Sequence, residues 1–168
     1  DFGKLQEAEL FLRLEEAELS LRKAIELKPD FAEAHCTLGK ILKGFGKLQE
    51  AESSLRKAIK LKPDFAEAYS NLGTVLKDLG KLQEAELSQR KAIELNPDFT
   101  KAYFSLSTLK YLNNNQTWKD YLFSERILNN KSLKDQVDIY FARANIFHKE
   151  RNYKESARSL QLANKIKI

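Results

Sequence analysis

The sequence predicts an all-α solenoid of antiparallel helix pairs, and three observations predict it. The first is self-similarity: residues 47–69 (KLQEAESSLRKAIKLKPDFAEAY) return 34 residues later at 81–103 (KLQEAELSQRKAIELNPDFTKAY), and residues 17–32 carry a third copy of the centre. The second is punctuation at the same interval, with Pro29, Pro63 and Pro97 closing each copy and Gly46 and Gly80 dividing it. The third is a set of columns kept small: Gly39, Gly73, Ser107 and Ala144; Ala17, Ala51, Ala85 and Ser156; Ala24, Ala58, Ala92 and Ala163. Small side chains let helix axes approach closely, and a single hairpin cannot bury its apolar faces alone, so neighbours must stack.

The elements follow in order. A continuous helix is expected over about residues 4–27, because KLQEAELFL is copied at once as RLEEAELSL with no glycine between the copies. Nine residues at about 100° each turn the copied face by roughly half a turn. The ordinary stripe therefore runs through Leu10, Leu14, Ala17, Leu21 and Ile25, while Leu5, Ala8, Leu12 and Leu19 face elsewhere. That second stripe is expected to meet a missing helix or to make a contact between chains. The first helix of each later unit is expected to begin at Asp30, Asp64 or Asp98, just after the proline. Glu33 and Glu67 would complete a capping box in the first two, whereas Lys101 removes half of the third. Gly46 and Gly80 should end that helix, where a residue without Cβ takes the left-handed conformation at least cost. The second helix then runs to the residue before the next proline, which is pushed out of the helical region. Within it Glu52–Arg56 and Glu86–Arg90 form i,i+4 pairs.

The period falters over residues 113–136. In strict register Lys119 and Arg126 occupy the small columns, and Asn113-Asn114-Asn115 replaces the glycine turn, although Trp118, Tyr121, Leu122 and Leu128 keep a helical apolar stripe. The pattern resumes with Tyr140, which lies 37 residues after Tyr103, and continues through Ala144, Phe147, Ser156, Leu160 and Ala163. The array thus divides into 1–31, 32–65, 66–99, a degenerate 100–134 and a closing 135–168.

These columns, L-G, A and A with a closing Pro at the 34-residue period, resemble the tetratricopeptide repeat (TPR) family over most of the 168 residues. The resemblance implies a right-handed superhelix whose concave wall is built from the first helix of each pair. It further implies a protein or peptide partner held along that wall. By that geometry the groove residues are Cys36, Thr37, Lys40 and Lys43; Ser70, Asn71, Thr74 and Lys77; and Phe104, Ser105, Thr108 and Tyr111. Lysines there suit carboxylates of a bound segment, and Phe104 and Tyr111 suit apolar anchors. Two groove chemistries of the family are tested by residue. The terminal-carboxylate clamp needs an asparagine where Lys40, Thr74 and Thr108 stand. The asparagine ladder of the O-linked N-acetylglucosamine transferases keeps only Asn71, with Thr37 and Ser105 on its neighbouring rungs. Residues 102–111 and 139–156 also resemble, more distantly, the end of TPR arrays that precede a sulfotransferase domain in some bacterial proteins.

Composition bounds the function. Apolar residues make up 42% and charged residues 32%, a balance suited to folded helical units, and apolar runs are far too short to span a bilayer. Cys36 is the single cysteine, so no intrachain disulfide exists and a reducing cytoplasm is compatible. With two distant histidines and one cysteine no metal site can be assembled, and no cofactor motif is present. His35 shares the column of Tyr69 and Tyr103 and reads as a packing residue, while His148 reads as surface. No nucleophile–base pair converges, so no catalysis is expected. There is no methionine, and the chain opens inside a recurring motif, so translation is expected to start upstream. The net charge of +5 lies in the last 38 residues, which hold nine basic and four acidic groups.

Three functions stay open. The leading one is a non-catalytic scaffold for a protein or peptide, with self-association through the N-terminal helix. The second is the substrate-recognition arm of a larger sulfotransferase or glycosyltransferase. The third, ranked last, is nucleic-acid binding by the basic tail (Lys131, Lys134, Arg143, Lys149, Arg151, Lys154, Arg158), since lysines spread around helices are ordinary surface.

Overall fold

The computed structural model describes residues 2–109 and 117–166, with side chains from Gln6 onward apart from residues 7 and 8. The described residues form α1 (Phe2–Leu27), α2 (Ala32–Gly44), α3 (Leu48–Leu61), α4 (Ala66–Asp78), α5 (Leu82–Leu95), α6 (Thr100–Ser107), α7 (Thr117–Phe123), a 3-10 turn (Glu125–Leu128), α8 (Leu133–Lys149) and α9 (Tyr153–Lys165). Antiparallel helices pack as the pairs α2/α3, α4/α5 and α8/α9, while α6 packs chiefly on α8 and α7 lightly on α8. The first helices also touch one another, α2 with α4, α4 with α6, and α6 with α8. The second helices α3 and α5 are joined instead by the ion pair Arg56–Glu84 (2.7 Å). Closer approach among first helices curves the stack and puts them on its inner side.

The helix starts differ from the expected capping boxes. The N-caps are Phe31, Phe65 and Phe99, and none makes a side-chain cap hydrogen bond. The cause is the proline. Phe31 N–H donates to Lys28 O (3.2 Å), Phe65 N–H to Lys62 O (3.2 Å) and Phe99 N–H to Asn96 O (3.0 Å), closing β-turns with Pro at their second position. Asp30, Asp64 and Asp98 are held in the turn, one residue short of the cap. Glu33 and Glu67 are then free to pair with Lys62 (3.0 Å) and Lys40 (3.2 Å), and Asp98 with Lys131 (2.9 Å). Side-chain caps do occur where the sequence reading named none. Ser132 accepts from Asp135 N–H (3.1 Å) at α8, and Asn152 from Glu155 N–H (3.4 Å) at α9.

Gly46 and Gly80 take φ of +73° and +77° after the first helices, as the pattern predicts. Lys47 N–H reaches back to Leu42 O (2.9 Å) and Lys81 N–H to Leu76 O (2.8 Å), the six-residue closure of a helix end. The same closure recurs after α8, Asn152 N–H to Phe147 O (2.8 Å), but there Arg151 occupies the left-handed position at φ +59°.

The small columns lie where axes meet. A Cβ on Gly39 would stand 2.6 Å from Leu55 Cγ and 3.2 Å from Ala51 O, and one on Gly73 would stand 2.7 Å from Gln89 Nε2. Ala51, Ala58, Ala85, Ala92 and Ser107 have no exposed surface, and Ala144, Ser156 and Ala163 are buried. Gln89 occupies the place of Leu55 one period on and is itself buried, an exception the columns did not flag. Leu160, expected inside at the corresponding place in α9, stays 39% exposed because no further described helix packs on α9 to cover it.

Both sequence irregularities have structural counterparts. Helix α1 is 26 residues long against 14 for α3 and α5, so it overhangs its neighbour by about 18 Å. Leu10, expected in the core stripe, lies on that overhang and is 59% exposed, while Leu14, Ala17, Leu21 and Ile25 are half-buried. In the degenerate unit the expected single stripe is broken. Helix α7 stops at Phe123, Ser124 is extended, and Trp118, Leu122 and Ile127 are buried from two separate short helices. Lys119, in the small-residue column, is half-buried and pairs with Glu150 (2.9 Å). Trp118 takes the column of Glu50 and Glu84, which pair with Arg22 (2.8 Å) and Arg56 (2.7 Å); Arg90 accordingly lies over the indole at 5.9 Å. Arg143 of α8 ties the break together by donating to Leu122 O and Ser124 O, both at 2.9 Å.

Candidate functional site

The inner wall is built from α2, α4, α6 and α8. One face of each is committed to packing, and the residues beside it decide what the wall offers. In α2 and α4 the lysines expected to hold a partner's carboxylates already have partners one unit on. Lys40 pairs with Glu67 (3.2 Å) and Lys43 with Asp78 (3.2 Å). Lys77 differs: its ammonium donates to Thr108 Oγ1 (3.2 Å), and among the described residues no carboxylate lies within ion-pair distance. Lys77 is therefore a cation without a carboxylate partner among the described residues, midway along the wall.

The small polar residues separate into two groups. Cys36 and Ser70 are buried, at 2% and 4% exposure, so their side chains do not reach a bound segment. Asn71 Nδ2 donates to Cys36 Sγ (3.5 Å), and burial pushes the Cys36 thiol above its usual range. The hydroxyls of Thr37, Thr74 and Thr108 turn back to Glu33 O (2.9 Å), Ser70 O (3.0 Å) and Ser105 O (2.7 Å) of their own helices. Thr37 is exposed, whereas Asn71, Thr74, Ser105 and Thr108 are half-buried. Tyr111 lies outside the described residues, as do the side chains of Leu5 and Ala8.

Phe104 is half-buried and meets Phe141 of α8 edge to face, with centroids 6.4 Å apart. Phe141 and Asn145 complete the wall and were absent from the expected groove. The 37-residue spacing that relates Tyr103 to Tyr140 also relates Phe104 to Phe141 and Thr108 to Asn145, so the signal was present in the sequence. Asn145 Nδ2 donates to Ser107 Oγ (3.0 Å). Lys149 Nζ donates to Ser107 O (2.6 Å) and to Leu109 O, satisfying carbonyls at the end of α6, which has eight residues against 13 in α2 and α4. Asp138 of α8 is half-buried, and its carboxyl is raised above the usual range by burial first and by neighbouring Asp135 second.

The remaining candidates are structural. His35 Nε2 lies 3.1 Å from Pro29 O, and Tyr103 OH donates to Pro97 O (3.0 Å), so this column pins the first and third proline turns to the following helix. Burial raises the Tyr103 phenol far above its usual range. His148 is exposed and meets Tyr153 edge to face at 5.4 Å. Of the basic tail, Lys131, Arg143 and Lys149 are engaged by Asp98 and by backbone carbonyls. Among the described residues no group of three or more His, Cys, Asp or Glu side chains is placed to hold a metal ion, and no helix is long and apolar enough to cross a membrane. Among the described residues the wall holds ion pairs and hydroxyl-to-carbonyl hydrogen bonds.

Comparison with known proteins agrees with this architecture. A tetratricopeptide repeat model matches residues 13–31 and 66–99, and a TPR repeat model matches residues 46–80. No curated protein sequence gives a significant match. The fold is shared with a crystal structure of MamA, at 22% identity and a TM-score of 0.63, covering 97% of this chain and 92% of that one. It is shared with a tetratricopeptide repeat protein from Parabacteroides merdae, at 23% identity and a TM-score of 0.68, covering 95% of this chain and 63% of that one. It is also shared with pilF of Pseudomonas aeruginosa, at 22% identity and a TM-score of 0.67, covering 99% of this chain and 73% of that one. Repeat models match residues 13–31 and 46–99, and one all-α solenoid is shared along the described helices, so the chain carries tetratricopeptide repeats.

Proposed function

We infer that the protein is a non-catalytic scaffold that holds an extended segment of a partner protein along the inner wall of α2, α4, α6 and α8. The observation that carries this reading is Lys77, a wall cation that has no carboxylate partner among the described residues. Lys40 and Lys43 are neutralised by Glu67 and Asp78, whereas Lys77 meets a hydroxyl alone. Asn71 on the same helix supports the reading as a backbone-directed amide, and Phe104 with Phe141 on the next two helices supports it as an apolar seat. The chemistry suits a segment in which a carboxylate lies close to an aromatic or branched aliphatic residue.

The test is selection from a random peptide library on the immobilised chain, followed by fluorescence anisotropy with the selected peptides. Enrichment of acidic–aromatic segments is expected. Lys77→Glu should weaken them by about tenfold or more, since removing an ion pair and adding repulsion costs on the order of 1–2 kcal/mol. Phe104→Ala should weaken them comparably, and Lys40→Ala far less. Peptides that ignore Lys77→Glu and Phe104→Ala, yet respond to Arg56→Glu on the opposite face, would overturn the reading.

A further inference from the structure

We propose that the outward face of α1 joins a second copy of this chain in an antiparallel helix pair centred between Leu19 and Ser20. Leu12, Glu16, Leu19, Ser20, Lys23 and Leu27 fall within about 100° of arc on one helix. Leu12, Leu19 and Leu27 are 59%, 75% and 82% exposed, an apolar stripe without cover on a helix that is otherwise rich in charge.

The order of residues along this face names the occupant. When two such helices run antiparallel about that midpoint, Leu19 of each faces Ser20 of the other and lies only about 1.5 Å along the axis from its own copy. Glu16 of each faces Lys23 of the other, and Leu12 of each faces Leu27 of the other. Apolar contact, opposite charge and apolar contact repeat symmetrically, so one face complements itself, as a two-fold interface requires. The parallel arrangement would set Glu16 on Glu16 and Lys23 on Lys23.

The charges are available for this. In later units the glutamates at the place of Glu16 take an arginine from the preceding second helix, Arg22 to Glu50 and Arg56 to Glu84. Neither Glu16 nor Lys23 has an ion-pair partner among the described residues. Helix α5 supplies the internal contrast. Its Leu87 lies two periods after Leu19 and is 67% exposed, but Gly80 replaces Leu12, and its charges are already taken, Glu84 by Arg56 and Lys91 by Glu94. Helix α5 therefore lacks the self-complementary pattern of α1.

Sedimentation velocity of the full chain over a concentration series tests the proposal. The parent is expected to associate reversibly to a dimer. Leu19→Glu should remain monomeric, and Glu16→Lys should raise the dissociation constant by about tenfold, because two symmetric attractions become repulsions. The double variant Glu16→Lys/Lys23→Glu should restore the parent's association, and Leu87→Glu should leave it unchanged. All four positions are exposed, so folding is not at risk. A parent that stays monomeric throughout, a double variant as weak as Glu16→Lys, or dissociation by Leu87→Glu would each overturn it.

Discussion

Replacing Gln89 by leucine should stabilise the fold, and the structure supplies the terms. Gln89 is 1% exposed, and its Oε1 has no hydrogen-bond partner, while its Nε2 donates to Ser70 O at 2.9 Å. A buried acceptor left unsatisfied costs about 1–3 kcal/mol, and one neutral hydrogen bond contributes about 1 kcal/mol net. Ser70 O keeps the Thr74 hydroxyl as a donor at 3.0 Å, so losing the Gln89 amide strands nothing. The leucine also fits, because Leu55 fills the corresponding place one unit earlier, against Gly39 at the spacing that Gln89 keeps from Gly73. The net expectation is a gain of about 1–2 kcal/mol, or roughly 3–6 °C in Tm for a chain of this size. Thermal and urea unfolding followed by circular dichroism measure it, with the midpoint rising at constant m value. A Tm that falls or does not move would refute the reasoning. It would mean that the glutamine amide is satisfied in solution or that the two leucine sites are not equivalent in shape.

Three further outcomes follow from other places in the stack. Arg151→Gly, which relieves a left-handed residue at φ +59°, should raise stability by about 0.5–1 kcal/mol in the same unfolding assays. Gly39→Ala should lower it by about 1–3 kcal/mol, because the new methyl would stand 2.6 Å from Leu55 Cγ with Ala51 O behind it. Asp138 has a folded-state carboxyl raised above its unfolded value, so its charged form opposes folding at neutral pH and its protonated form does not. Asp138→Asn should therefore stabilise at pH 7, and the gain should vanish as the pH falls below the usual aspartate range. A gain that is constant with pH would point to packing instead.

Periodic spacing made most of the architecture legible in one dimension. A close helix contact needs a small residue every 34 positions, and a helix end needs a glycine or a proline, so Gly39, Gly73, Ala51 and Ala85 announced the packing before any coordinate. The long α1 was legible from its tandem copy for the same reason. Local chemistry was less so. Asp30 and Asp64 have the right spacing for a capping box, but a proline turn holds each one residue short of the cap, and spacing does not report backbone direction. The stripe through Trp118 and Leu128 was misread as one helix because the chain breaks at Ser124, where Arg143, some twenty residues on in sequence, donates to the Leu122 and Ser124 carbonyls.

The candidate site divides in the same way. The sequence determined which helices form the inner wall and which residue types stand along it, since both follow from the repeat. Only the tertiary structure decided which of those residues are available. Cys36 and Ser70 are buried by neighbouring helices, Lys40 and Lys43 are neutralised by carboxylates one unit away, and Lys77 is left with a hydroxyl. Periodicity encodes contacts that recur in every unit, whereas availability depends on what a side chain meets across units, where the copies differ.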